Sequence, residues 1–314
     1  MEAASTATAQ GRAEAPSLRA ARRRWGEGLI RALLVLAALI SILTTTGIVL
    51  SLVRETVLFF QEVPIGDYLF GTKWTPLFEP ASFGVLPLIS GTLLITGIGM
   101  LVAIPLGIAA AIYLAEYARP GVRKVIKPVL ELLAGVPTIV FGYFALTFFT
   151  PQILQGLGLD VGVFNALSAG IIVGFLIVPT VASISEDAMS AVPASLREGA
   201  FGLGASKLQV TLRVVFPAAL SGIVASIVLG ISRAVGETMV VLVAAGLVPY
   251  LGLDPREPAE TMTAFIGATA KGDISTGSIA YKTIFAVGTT LFVITLIMNL
   301  ISIRFVRKYR QVYE

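Results

Sequence analysis

Six long apolar runs constrain this sequence more than any other feature. They cover residues 29–53, 86–117, 129–149, 164–185, 218–248 and 283–306 of a chain of 314 residues. Each run is long enough to cross the ~30 Å hydrocarbon core of a bilayer, which takes about 20 helical residues. Only 13% of the residues are charged, whereas an average soluble domain has about 25%. The sequence therefore predicts an all-α, polytopic membrane protein with six transmembrane helices.

The ends of the chain differ from this membrane domain, which we place at residues 29–306. Residues 1–28 are rich in small and polar residues and then become basic, so they predict a disordered arm with little to bury. A secretory signal peptide is the alternative, but the run 29–53 is too long for one and lacks a small-residue cleavage site. Residues 307–314 form a short basic tail.

The distribution of basic residues predicts the orientation of the chain in the membrane. Most of the 23 Lys and Arg residues fall in the N-terminal arm, the loops 118–128 and 186–213, and the tail. The opposite side has Arg54, Lys73, Arg256, Lys271 and Lys282. Because cytoplasmic loops are enriched in Lys and Arg, both termini are predicted to be cytoplasmic. Six spans agree with that arrangement.

The predicted outer loop, residues 54–85, is rich in aromatic residues together with Gly and Pro. Aromatic side chains at this position are typical of anchoring at the membrane–water interface. The alternative is that they form a docking surface for a partner on the outer face of the membrane. The sequence alone leaves both interpretations open.

Two charged residues lie inside the fifth apolar run. Arg233 and Glu237 are four residues apart, so on a continuous helix they share one face. An intramembrane arginine costs at least ~2.5 kcal/mol and is usually paired or faces a wet cavity. The pair is therefore either a structural ion pair or part of an anion pathway, in which the planar fork of Arg233 meets an oxyanion and Glu237 holds the arginine. The hydroxyl of Thr238 is a second pathway candidate, with polar packing as the alternative.

A polar connection follows the fourth apolar run and covers residues 186–217, which we call the coupling loop. Ser195 and Glu198 have the spacing of a capping box, and Ser206 and Gln209 repeat it. Gly204 lies between the two boxes and can adopt the positive φ that closes a helix. The loop is therefore predicted to form two short helices joined at a glycine corner.

The coupling loop resembles a signature of the permease subunits of bacterial ABC importers. That signature is Glu-Ala-Ala, three residues, Gly, nine residues and Ile-x-Leu-Pro. This chain has Glu198, Gly199 and Ala200, then Gly204 after three residues, and a closing Val-Val-Phe-Pro that ends at Pro217. Glycine for the first alanine, Val for Ile and Phe for Leu are the departures. The resemblance implies that this element, begun by Ser195, docks in a groove of a separate ATPase subunit.

A wider resemblance, to the PstC-type phosphate permeases, covers nearly everything after the N-terminal arm. The matching segments are 70–76 (FGTKWTP), 83–87 (FGVLP), 89–93 (ISGTL), 131–137 (ELLAGVP), 192–193 (VP) and 233–238 (RAVGET). The resemblance implies a type I importer fold in a bacterial inner membrane, phosphate as the substrate, and Arg233 and Glu237 in its passage. It also implies four partners: a PstA-like permease, two PstB-like ATPase subunits and an extracytoplasmic PstS-like phosphate-binding protein.

The sequence has no motif for nucleotide hydrolysis. No Gly-x-x-x-x-Gly-Lys-Ser/Thr loop is present, so this chain is predicted to bind no cofactor and not to be an enzyme, with ATP and Mg²⁺ on the partner ATPase. Histidine and cysteine are both absent, which leaves few metal ligands. Two alternatives remain: the same architecture carrying another oxyanion, such as sulfate or molybdate, and an ion-coupled secondary transporter, which would show inverted repeats and interrupted helices.

Overall fold

The computed structural model describes residues 25–309, and side chains within residues 27–304. In this range the chain is helical and contains no β-strand, only two isolated bridges, Trp74 with Phe83 and Gly246 with Ala259. The α-helices are α1 (Trp25–Glu62), α2 (Ile65–Phe70), α3 (Leu86–Ile112), α4 (Pro120–Ala134), α5 (Thr138–Phe144), α6 (Ala166–Ser190), α7 (Ala194–Gly202), α8 (Lys207–Val210), α9 (Phe216–Ala218), α10 (Leu220–Val235), α11 (Met239–Ala244), α12 (Met262–Lys271) and α13 (Ile279–Tyr309). Wider π-helical turns extend α3 (Tyr113–Tyr117), α5 (Ala145–Leu154) and α8 (Thr211–Val215).

The chain divides into two compact units, residues 1–50 and 51–314. In the first unit the described residues form the first part of α1, which begins at Trp25, inside the range predicted as a disordered arm. Residues 1–24 of that arm and 310–314 of the predicted tail lie outside the described residues. The Leu, Ile and Val side chains of this part of α1 are exposed, as expected for a helix surrounded by lipid.

The second unit shows that the predicted spans are not all single helices. Within the described part of the chain, four helical segments are long and apolar enough to cross a membrane: Glu27–Glu62, which begins in the first unit, Leu86–Tyr117, Ala166–Ser190 and Ile279–Arg304. Two further candidates are pairs of helices: Pro120–Ala134 with Thr138–Leu154, bent by 87°, and Lys207–Ala218 with Leu220–Val235, bent by 70°. The prediction of six spans agrees with the structure when each bent pair is counted once.

Three predicted boundaries need correction. The predicted outer loop 54–85 starts too early, because α1 continues to Glu62 and α2 lies inside the loop. The predicted loop 118–128 is largely the start of α4, which begins at Pro120. Proline is favourable at the first helical position, because the N–H group that it lacks would have no partner within the helix there. The predicted fifth span 218–248 is not continuous, because α10 ends at Val235 and α11 begins at Met239.

The core of the second unit is the contact between α3 and α6, against which α10 also packs. Glycines let the two helix backbones approach each other. A Cβ on Gly174 would lie 2.7 Å from the carbonyl oxygen of Gly99, and one on Gly170 would lie 2.7 Å from Ile98 Cβ. Small residues at such crossings are the usual means of close helix packing in membranes.

The aromatic residues of the predicted outer loop take two different positions. Phe59, Tyr68 and Trp74 are buried in a second core cluster with α12 and α13, in edge-to-face ring contacts. Phe59 and Tyr68 are fully buried, so these two rings neither anchor the chain at an interface nor form a docking surface, and both predicted roles are wrong for them. Trp74 is also buried, but it forms part of the wall of a cavity. Phe70 and Phe78 remain 77% and 71% exposed.

Candidate functional site

Arg233 lies at the meeting point of three helices. It occupies the last turn of α10, where Nη1 donates a hydrogen bond of 2.9 Å to the Thr180 hydroxyl of α6. Nη2 donates one of 3.3 Å to the backbone oxygen of Ala134, the last residue of α4. The cation therefore lies at the carboxyl end of a helix, where the macrodipole favours positive charge.

The predicted pairing of Arg233 with Glu237 is not formed. One carboxylate oxygen of Glu237 instead accepts hydrogen bonds from the backbone N–H groups of Thr238 (3.1 Å), Met239 (3.0 Å) and Val240 (3.2 Å). The prediction was wrong because it assumed one continuous helix, whereas the chain leaves α10 at Gly236. Glu237 starts the next helix by accepting from its free amides, so it serves the backbone and not the arginine.

Thr238 has a local role in the break between α10 and α11. Its hydroxyl donates to the Gly236 carbonyl at 3.3 Å, and Thr263 of α12 donates to the Glu237 carbonyl at 2.7 Å. These bonds satisfy backbone oxygens that the interrupted helix leaves free. The contacts match the packing alternative for Thr238, and the pathway role stays a prediction.

The second predicted capping box in the coupling loop is confirmed, and the first is wrong. Gln209 N–H bonds the Ser206 hydroxyl at 3.4 Å, and Ser206 N–H bonds the Gln209 side chain at 2.8 Å. Ser195, by contrast, lies within the first turn of α7, whose N-cap is Pro193 with no side-chain cap. The chain enters α7 two residues earlier than the Ser-x-x-Glu pattern requires.

Gly204 closes α7 with a Schellman turn. Its φ is +82°, its N–H bonds the Phe201 carbonyl at 2.9 Å, and Ala205 N–H bonds the Ala200 carbonyl at 3.1 Å. This pair of bonds needs a residue in the left-handed region at Gly204, which glycine adopts without steric cost. The predicted glycine corner between two short helices is confirmed.

The coupling loop presents an apolar tip that sequence reasoning missed. Leu203 is 91% exposed, and Phe201 and Leu208 are also exposed. Glu198, Gly199 and Pro217 of the predicted contact are exposed too, while Ala200 is half-buried. The signal for this tip in the sequence was the presence of apolar residues inside a polar loop. Such a patch in a loop outside the spans is typical of a surface that binds another protein.

Arg197 attaches the coupling loop to the ends of α3 and α6. Its guanidinium donates to the carbonyls of Met189 (2.7 Å) and Val192 (2.5 Å) at the end of α6. It also bonds the Glu116 carboxylate at 3.1 Å, in the π-turn after α3. The chain bends by 70° after Ala218, so the coupling loop and Arg233 do not lie on one straight helix.

A buried carboxylate at the base of the loop was also missed. Glu186 of α6 is fully buried, and it pairs with Lys127 at 2.7 Å and with Arg123, both on α4. Ser190 donates to it at 2.8 Å. We call these four residues the Glu186 cluster. Two features of the sequence pointed to this cluster: the basic residues four positions apart on α4, and the two adjacent acidic residues at 186–187.

Comparison with known proteins agrees with the resemblance seen in the sequence. Residues 103–311 match the family described as the binding-protein-dependent transport system inner membrane component. A probable ABC transporter permease protein of Bacillus subtilis, YqgH, is 37% identical over 78% of this chain and 79% of its own length. The phosphate transport system permease protein PstC of Haemophilus influenzae is 31% identical over 91% of this chain and 95% of its own length.

Solved structures support the same fold at lower identity. A bacterial ABC transporter involved in alginate import superposes with a TM-score of 0.62 at 18% identity, over 92% of this chain and 100% of that one. The MetNI methionine ABC transporter gives 0.53 at 18% identity, over 73% and 95%. The chain therefore belongs to the family of inner membrane components of binding-protein-dependent transport systems, as a multi-pass, non-catalytic membrane subunit.

Proposed function

We propose that this chain is the membrane permease subunit of an ATP-driven importer that translocates inorganic phosphate. The identity of 31% to a phosphate transport permease over almost the whole of both chains supports this substrate. Another oxyanion, such as sulfate or molybdate, is the second candidate, because Arg233 would meet any tetrahedral anion in the same way.

The observation that carries the proposal is the state of Arg233. Its two partners, the Thr180 hydroxyl and the Ala134 carbonyl, are both uncharged. Among the described residues no carboxylate lies within ion-pair distance of its guanidinium. A guanidinium has five N–H donors, so the geometry leaves most of them, and the full positive charge, for an anion. An intramembrane cation without a counter-ion is energetically unfavourable unless a bound ligand compensates its charge.

The separation of Glu237 from Arg233 helps the same function. The Glu237 carboxylate accepts hydrogen bonds from three backbone N–H groups. These bonds partly compensate its negative charge, so the carboxylate does not need the arginine as a partner. A carboxylate next to Arg233 would instead compete with phosphate for the same donors. We therefore assign Glu237 to shaping the break that places Arg233 at the end of α10.

The coupling loop is proposed to receive the ATPase. Its exposed apolar tip around Leu203, with Ser195, Glu198, Gly199 and Ala200 on α7 and Pro217 at the joint, would contact the partner subunit. ATP and Mg²⁺ would be bound there and not by this chain. The complete importer would then contain a PstA-like permease, two PstB-like ATPase subunits and a PstS-like phosphate-binding protein in a bacterial inner membrane, with both termini of this chain cytoplasmic.

The test of the proposal is phosphate uptake by an Arg233→Gln complex reconstituted with its partners. We expect uptake to fall by roughly 10–100-fold, because each hydrogen bond from a charged donor is worth about 1.5–3 kcal/mol, while the subunits still co-purify. Arg256→Gln is the matched control, since Arg256 pairs with Asp254 in an exposed loop. Uptake near the wild-type rate in Arg233→Gln would overturn the role of this arginine, and sulfate or molybdate uptake in place of phosphate would favour the second candidate.

A further inference from the structure

A cavity of about 610 Å³ opens beside Trp74. We call it the Trp74 cavity. Its walls come from the segment 74–78, from Leu247 and Pro249 after α11, and from Glu260 and the α12 region up to Ile274. The lining is mostly apolar and includes the rings of Trp74, Phe78 and Phe265. The cavity takes no part in the site around Arg233.

Two residues in the wall of this cavity carry polar groups that have no partner among the described residues. The indole Nε1 of Trp74 is shielded from solvent and has no hydrogen-bond acceptor. Glu260 is only 6% exposed, and within the described residues its carboxyl group makes no hydrogen bond or ion pair. Buried polar groups without partners cost free energy comparable to a lost hydrogen bond. The Glu260 carboxyl in the cavity wall is thus left without a partner among the described residues, which indicates that a ligand completes it.

The charges of the lining indicate what kind of ligand fits. The lining contains two carboxyl groups, Glu260 and Asp273, and neither lysine nor arginine. Burial alone raises the pKa of Glu260 from 4.5 to about 8, so a cation beside it would supply the compensation that the fold lacks. The faces of aromatic rings also attract ammonium and guanidinium groups. Anions and apolar ligands would leave the Glu260 carboxyl uncompensated.

The position of the cavity indicates from which side of the membrane a partner could insert this cation. Its walls adjoin the start of α3, where the Glu260 carbonyl lies 2.3 Å from a Cβ built on Gly91 and Met262 N–H bonds the Thr92 hydroxyl at 3.1 Å. Arg197 of the coupling loop contacts Glu116, beyond the other end of α3. A helix of this length spans about 40 Å, so the cavity lies on the membrane side opposite to the coupling loop.

We propose that the Trp74 cavity receives a lysine or arginine side chain from a loop of the extracytoplasmic binding protein. The cation pairs with Glu260, and its alkyl stem packs against Phe265 and Trp74. The inference relies on the proposed phosphate importer only for the identity of that binding protein, because the family itself is binding-protein-dependent. The cavity would then anchor the partner at a defined residue.

The first test measures the dissociation constant of the phosphate-binding protein for the complete importer in lipid nanodiscs. We expect Glu260→Gln to weaken binding by at least about thirtyfold, as for loss of one partner of a buried charge pair. The matched control is Glu257→Gln, the same change three residues away in an exposed position, which should bind like the wild type. Equal affinities of Glu260→Gln and wild type would overturn the inference.

A second test identifies the inserted residue without relying on affinity. The chain has no cysteine, so Phe78→Cys at the mouth of the cavity can take a benzophenone probe at a single site. After illumination we expect the cross-linked peptide of the binding protein to contain a Lys or Arg whose replacement by Glu weakens binding as much as Glu260→Gln does. Cross-links only to peptides without a basic residue would contradict the inference. If the phosphate-binding protein fails to bind even the wild-type importer, the substrate assignment fails and not the cavity.

Discussion

Arg233 depends on contacts with residues that are remote in the sequence. The hydroxyl of Thr180 and the carbonyl of Ala134 hold its guanidinium at the junction of α10, α6 and α4. Both acceptors are uncharged, so they orient the arginine without neutralising it. In the proposed phosphate pathway, Thr180 would therefore be a positioning residue that orients Arg233 without touching the anion itself.

The contribution of Thr180 can be isolated with an isosteric change. Thr180→Val removes the hydroxyl at nearly constant volume, and we expect the apparent KM for phosphate to rise about tenfold, which corresponds to ~1.4 kcal/mol for one hydrogen bond to a charged group. Thr180→Ser keeps the hydroxyl and should restore the wild-type KM. The measurement is phosphate uptake as a function of concentration. A lower maximal rate at unchanged KM in Thr180→Val would indicate a packing role instead.

Glu260 should make the stability of the chain depend on pH. Burial raises its pKa from 4.5 to about 8, so the folded state keeps a proton that the unfolded chain releases between these values. Stability is then greatest below about pH 4.5 and falls as pH rises to about 8. Thermal unfolding in detergent, without the binding protein, should show this decline in the wild type and in Glu257→Gln. The decline should be absent in Glu260→Gln, and if it persists there, Glu260 is not its source.

Among the helical elements, the coupling loop shows how local sequence and distant contacts combine. The Ser206 capping box and the Gly204 turn form from neighbouring residues. Arg197 then fixes α7 to the ends of α6 and α3, while the bend after Ala218 separates the loop from the axis of α10. We therefore expect displacement of the loop to reach α3 and α6 before it reaches Arg233.

The exposed tip of the coupling loop can be tested with one charge. Leu203→Glu should weaken the binding of the ATPase subunit by about thirtyfold or more, as for a hot-spot residue at an interface. It should also abolish the ATP hydrolysis that the binding protein stimulates. Leu253→Glu is the control, because Leu253 is 81% exposed in the connection between α11 and α12, far along the chain from the loop. The measurement is co-purification of the ATPase with hydrolysis rate. Normal stimulation of ATP hydrolysis in Leu203→Glu would show that the tip does not contact the ATPase subunit.

The whole second unit is held by close helix packing and by one buried set of charges. The glycine contacts bring α3 and α6 together along the middle of the bundle, and the Glu186 cluster joins α6 to α4. Because Glu186 is fully buried while both of its cations come from α4, the orientation of α4 depends on this one carboxylate. The bend of 87° after α4 then places the Ala134 carbonyl near Arg233.

Removal of the buried carboxylate should therefore destabilise the molecule strongly. Glu186→Ala removes the carboxylate that Arg123 and Lys127 share, although Lys127 keeps Asp187 as a partner. Because the hydrogen bonds lost are to charged groups, we expect a cost of about 1.5–3 kcal/mol. Asp187→Asn is the control, because Asp187 is exposed and contacts only Lys127, so less than about 1 kcal/mol is expected. Denaturant unfolding of the purified chain in mixed micelles gives both free energies. Equal stabilities of the two variants would mean that the cluster is not a structural centre.

The sequence by itself determined the membrane character of this protein, the approximate places of its apolar segments, and the glycine corner with its Ser206 cap. These features depend on hydropathy over about 20 residues or on neighbours within one turn, so a local pattern is sufficient to predict them. The break at Ala219 was missed because apolar composition continues through it, and hydropathy does not report where backbone hydrogen bonding changes direction. The break at Gly236 was missed because Arg233 and Glu237 were placed on one continuous helix.

Only the tertiary structure decided the partners of the charged groups. Spacing predicted that Arg233 would pair with Glu237, four residues away, but its contacts are Thr180 and Ala134, which are 53 and 99 residues away. The same holds for Glu186 with Lys127 and for the unpartnered Glu260 and Trp74. A buried charge takes whichever partner the helix packing brings within reach, and that packing depends on contacts such as Gly99 with Gly174 that no local period specifies.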